Sequence, residues 1–102
     1  MTQLTEKEAL VMKVIWDLEE PTKSSYLLEV LNKTYDLGWK ASTLATYLKR
    51  LEIKGFVTKN KHLYSDFITR EMYLTNLAIN IIDVWGSESA RTLIDALICT
   101  LN

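Results

Sequence analysis

The chain has 102 residues, 48% of them hydrophobic, with one Pro and three Gly. That length fits one domain, or a small domain with an appendage, and that composition excludes a disordered chain. The single cysteine, Cys99, excludes an intrachain disulfide and any Cys-built metal site within one chain, and a net charge of −1 excludes bulk electrostatic attraction to nucleic acid.

The charge is unevenly placed. Residues 1–36 carry four Lys against seven acids, and residues 64–102 carry two Arg against five acids. The stretch between, 37–63, carries six basic residues against one acid, Glu52, a net of +5. A segmental excess of this kind points to an anionic partner. The opening MTQLTEKEAL has no apolar core behind a basic region, and no apolar run nears the ~18 residues of a membrane span. The longest, LAINIIDVW, is short and contains Asp83. A cytoplasmic protein without a membrane partner is expected.

Along the chain, Leu4 to Leu18 predicts a first helix, with Thr5 and Glu8 at capping-box spacing. Leu10, Val14 and Leu18, with Val11 and Ile15, give its apolar face, and Pro21 ends the element. Ser24 or Ser25 is expected to cap a second helix through Tyr35, with Leu27, Leu28, Val30 and Leu31 inward. Asp36-Leu37-Gly38 breaks it. A third helix is expected from Ala41 to Lys54, with Leu44, Leu48 and Leu51 buried and Gly55 as its stop. The periodicity then changes. Phe56-Val57-Thr58 and Leu63 to Phe67 alternate like strands around a polar tip, Lys59-Asn60-Lys61, with Asn60 the expected turn residue. Thr69 is expected to cap a fourth helix, Arg70 to Trp85, closed by Gly86, and Ser87 a fifth, Glu88 to Leu101.

Three short helices followed by a hairpin is the order of a winged helix-turn-helix. The expected fold is therefore mainly α with a small β-hairpin wing, a winged-helix head over 1–68 and a helical region over 69–102. On the third helix, Ser42, Ala45, Thr46 and Lys49 share the face opposite the leucines, and Arg50 flanks it. Small side chains there let a helix approach a DNA groove, while hydroxyls and cations reach bases and phosphates. Thr46 and Lys49 are the leading candidates. Arg50 either clamps a phosphate or pairs with Glu52 or another acid. Lys40 and Ser42 sit at the helix start, where backbone N–H groups favour phosphate. Lys59, Asn60 and Lys61 on the wing are candidates for a neighbouring phosphate or minor groove.

These residues resemble a known family. LTEKEALVMKVIWDL, WKASTLATYLKRLEIKGFV and YSDFITREMY are similar to the opening helix, the recognition-helix signature and the wing exit of the penicillinase-repressor family of BlaI, MecI and CopY. Thr43, Thr46, Leu48, Arg50, Leu51, Lys54 and Gly55 stand in matching places, which adds Thr43 to the DNA-facing set. The resemblance implies a homodimeric transcriptional repressor on an operator of dyad symmetry, its C-terminal helices holding the dimer. It also implies derepression by proteolysis or metal binding, and so a regulatory protease or sensor protein as partner. The chain departs from the family at Ala45, where several members carry a larger polar or basic side chain. Its wing is short and lacks a Gly at the tip. The chain stops at Asn102, where members commonly continue with another helix, and Cys99 alone does not replace the cysteine-rich tail of the copper-responsive branch.

In the C-terminal region Leu74, Leu77, Ala78, Ile81, Ile82 and Trp85 form one apolar stripe, and Leu93, Leu97 and Leu101, beside Ile94 and Ile98, form another. That is more apolar surface than two helices hide alone, so a two-fold dimer is expected. Trp16 and Trp39 are expected to pack, Tyr64 to seat the wing, and His62 to lie on the wing surface. No cofactor or metal site is expected. An enzyme is disfavoured: there is no HExxH, no Gly-rich phosphate loop and no His near Cys99. The alternative reading is a winged-helix protein-interaction module without DNA binding. A small-molecule sensor with its ligand beside Trp85 is a further rival.

Overall fold

A computed structural model describes residues 3–101. Residues 1–2 and 102, at the outer ends of the expected domains, lie outside the described residues. The elements run α1 (Glu6–Leu18), β1 (Thr22–Lys23), α2 (Ser24–Tyr35), α3 (Ala41–Ile53), β2 (Val57–Asn60), β3 (Leu63–Asp66), α4 (Arg70–Trp85) and α5 (Ser87–Leu101). They form two compact units, one reaching to Thr69 and the other beginning at Arg70.

In the first unit, α1 opens on the expected capping box. The Glu8 N–H donates to Thr5 Oγ1 at 3.3 Å, and the Thr5 N–H donates to Glu8 Oε1 at 2.8 Å. Its buried stripe is Glu8, Val11, Met12 and Ile15, an i, i+3, i+4, i+7 set, with Val14 beside it. The stripe is rotated from the expected one: Leu10 and Leu18 are only half-buried, and Met12 joins the core. Leu27 and Leu31 of α2, Leu44, Leu48 and Leu51 of α3, and Phe56 and Val57 complete the core. Burying each such side chain contributes about 1.5–3 kcal/mol, so this cluster holds the three helices together.

The hairpin belongs to a three-stranded sheet of order β1-β3-β2. The short strand β1, with Thr22 opposite Tyr64 and Lys23 opposite Leu63, has no counterpart in the sequence expectation. Because β1 runs straight into α2, the cap of that helix is Lys23, and no side chain bonds the first turn. Ser24 and Ser25 are inside the helix. The wing turn also differs. Asn60 pairs with Leu63 as the last residue of β2, and Lys61 and His62, at φ 51° and 69°, form a two-residue turn. Positive φ at both central positions is what a type I′ hairpin turn demands, and its twist matches that of the strands.

The second unit is a helical hairpin, and neither α4 nor α5 has a buried residue among those described. One residue joins the helices. The Gly86 N–H donates to Ile82 O at 2.8 Å, and its carbonyl accepts from the Ala90 N–H at 3.1 Å. Gly86 therefore closes α4 and opens α5, and Ser87 is the first residue of α5 rather than its cap. A φ of +88° at this junction is accessible to glycine at little cost.

Candidate nucleic-acid interface

Helix α3 turns Leu44, Leu48 and Leu51 into the core. The helical period then forces Ser42, Ala45, Thr46 and Lys49 outward, and all four are exposed, as is Arg50. Thr43 is half-buried at the edge of this face. Lys40 is the N-cap in extended conformation, without a side-chain cap; the Thr43 N–H turns back to the Lys40 carbonyl at 3.0 Å, so the N–H groups ahead of it are the ones that can meet solvent or an anion.

The start of α3 is held from α2. Asn32 accepts the Trp39 N–H at 2.8 Å and donates to the Trp39 carbonyl at 3.0 Å. Both polar groups of this peptide position are thus satisfied by one side chain, which fixes the angle at which α3 leaves the turn. The Trp39 ring stacks on Tyr47, with centroids 4.9 Å apart and planes 13° apart. The Arg50 guanidinium lies over the Tyr47 ring, 5.4 Å from its centroid. Of the alternatives open for Arg50, pairing with Glu52 is not adopted among the described residues.

The Thr46 hydroxyl donates to the Ser42 carbonyl at 3.1 Å. Its proton is thereby engaged, which leaves the exposed side chain an oxygen acceptor and a methyl group. Such a side chain suits an amino donor or an apolar methyl on a base edge. On the wing, Lys59, Asn60 and Lys61 are exposed. The Lys59 ammonium sits 5.6 Å from the centroid of the half-buried Tyr64 ring, and Thr58 shares a hydroxyl–hydroxyl bond of 3.1 Å with Ser65.

One cation of the basic segment is turned inward. The Lys54 ammonium lies 2.6 Å from Glu8 Oε1, and the Glu8 side chain is 1% exposed. Burial pushes the Glu8 carboxyl up, but the Lys54 hydrogen bond and charge, with the Thr5 hydrogen bonds, outweigh it and hold the carboxyl below its ordinary value. Lys54 thus joins α3 to α1, and Lys40, Lys49, Arg50, Lys59 and Lys61 remain to set the surface charge.

Two residues of this surface carry no sequence-based expectation. Ile53 is 75% exposed, and its spacing of four from Lys49 and seven from Thr46 extends the outward face of α3. Tyr47 carries the ring stack. An outward isoleucine at a recognition-helix end has a readable signal, its helical phase, whereas a tyrosine beside the leucine stripe has none.

In the second unit, Leu77 and Ile81 are half-buried, and Leu74, Ala78, Ile82, Trp85, Leu93, Leu97 and Leu101 are exposed. Ile81, Trp85, Ser89, Thr92, Leu93 and Ala96 line a largely apolar groove on the hairpin. No three His, Cys, Asp or Glu side chains among the described residues come together to hold a metal ion. No helix among them is long and apolar enough to cross a membrane.

Three packed helices, a small antiparallel sheet and an outward α3 define a winged helix, the architecture of a DNA-binding regulator. The chain belongs to the penicillinase repressor family, whose model matches residues 4–101, and is thus a winged-helix transcriptional repressor rather than a member of an enzyme family. A comparison with curated proteins finds no match.

Proposed function

We propose that the protein is a cytoplasmic homodimer that represses transcription by occupying an operator of dyad symmetry. Each head places α3 in a major groove, so that Ser42, Thr43, Ala45, Thr46 and Lys49 face base edges and Lys40 and Arg50 face flanking phosphates. The wing, through Lys59, Asn60 and Lys61, lies on the adjacent backbone. The observation that carries this reading is the outward face of α3. It is exposed, small or hydroxylated near its start, cationic towards its end and free of acids, on a helix whose start is held by Asn32.

The dimer is formed by α4 and α5, whose apolar stripes are only partly covered by each other and hold no buried residue among those described. Two heads then read half-sites one helical turn, about 34–36 Å, or a multiple apart. Repression follows from occlusion of the promoter and needs no cofactor. Release would come from a protease or sensor protein that acts on the dimer.

Footprinting of the protein on its own upstream region tests the reading. Two protected half-sites with inverted symmetry are expected. A protein without affinity for any duplex would instead be an interaction module that uses the same fold.

A further inference from the structure

We propose that Tyr47 is a positioning residue for DNA binding: in contact with both the Trp39 ring and the Arg50 guanidinium, it aims that guanidinium at a backbone phosphate beside the recognition face. The proposal rests on the DNA-binding reading above and deepens it. Arg50 is exposed and lies three residues beyond Tyr47, the spacing at which helical side chains meet. Its Cζ is 5.4 Å from the Tyr47 centroid. Tyr47 is in turn stacked on Trp39 at 4.9 Å, and Asn32 anchors the Trp39 backbone at both its N–H and its carbonyl. The stack therefore runs from a fixed turn to an exposed cation.

An arginine on a surface helix samples many rotamers, and most of that freedom is lost when it clamps a phosphate. Contact with a ring face restricts the side chain beforehand and engages no N–H donor, because the attraction is between the cation and the ring quadrupole. All five guanidinium donors stay available for a bidentate phosphate contact. A carboxylate partner would restrict Arg50 equally but would consume those donors and cancel the charge, and Arg50 has no such partner among the described residues.

The test is a thermodynamic cycle on the full chain, read by fluorescence anisotropy on a duplex from its own upstream region across a salt series. Tyr47→Leu is expected to weaken binding about two- to fivefold, and Tyr47→Phe, which keeps the ring, to bind as wild type. Arg50→Ala is expected to lower the slope of log K against log salt by about 0.9, the signature of one phosphate contact. In the Arg50→Ala background, Tyr47→Leu should have no further effect. Where Tyr47→Leu is unfolded at the assay temperature, Tyr47→Gln takes its place. An equal loss from the ring deletion in both backgrounds, or full affinity in Tyr47→Leu, overturns the positioning role while DNA binding stands. A wild-type chain that binds no duplex overturns both.

Discussion

Lys54 lies in the most basic stretch of the chain, yet it faces the protein interior. Its partner Glu8 is 46 residues away in sequence, so no local pattern announces the pair, whereas the Thr5–Glu8 capping box is legible at a spacing of three. Glu8 therefore has two tasks, capping α1 and receiving Lys54. Lys54→Met leaves a buried carboxylate without its cation, and it should cost about 2–4 kcal/mol in urea unfolding, somewhat less than for a fully buried pair because Lys54 is 24% exposed. The pH dependence has a definite sign. The Glu8 carboxyl is lowered from 4.5, so its contribution to stability is complete above that value and is lost as pH falls through the lower, folded-state value. Glu8→Gln, which keeps a capping-box side chain, should flatten this acid loss in thermal melts between pH 5 and pH 3, on the order of one proton uptake. Thr46 behaves oppositely. It is exposed, and among the described residues its side chain bonds to its own helix alone, so Thr46→Ala should leave the melting temperature nearly unchanged. The same change should weaken binding to the selected operator by about 1–3 kcal/mol, read by anisotropy, if its oxygen and methyl meet a base edge.

At the scale of elements, the helices are legible because each has a 3.6-residue apolar period and the first four have a clear stop. Gly55 after α3 and Gly86 after α4 both take positive φ, as the punctuation predicts. The strands were less legible. Strand β1 consists of two residues, Thr22 and Lys23, and exists only because β3 passes beside it, 40 residues later. That pairing also moves the cap of α2 from the serines to Lys23. The wing turn follows Asn60, the better turn former in sequence, because strand register puts Lys61 and His62 at the tip. Both non-glycine residues there occupy the left-handed region, at a cost of about 1–2 kcal/mol each. His62→Gly should accordingly raise stability by about 1 kcal/mol in thermal unfolding. The candidate interface was legible where it depends on helical phase, as for Ser42, Ala45, Thr46 and Lys49. The Trp39–Tyr47–Arg50 stack was not, because side-chain rotamers rather than periodicity bring those rings together.

At the scale of the molecule, one unit has a closed core and the other has no buried residue among those described. The head buries eleven apolar residues, whereas α4 and α5 leave Trp85 71% and Leu97 52% exposed. In the proposed dimer this helical hairpin gains its core from association, so its melting temperature should rise with protein concentration. Leu93→Glu with Leu97→Glu should shift sedimentation equilibrium from dimer to monomer, and operator affinity should fall more than tenfold, on the order of the avidity lost when two heads are uncoupled. The reading proposed for the head is that α3 selects a DNA sequence. Its most direct test is anisotropy of the full chain against pooled fragments of its own upstream region, at several salt concentrations, with Thr46→Ala/Lys49→Ala alongside. The wild-type chain is expected to select one fragment and keep that preference at physiological salt, and the double variant to lose it while remaining folded. Weak binding to every fragment, gone by physiological salt and unchanged in the variant, would contradict it.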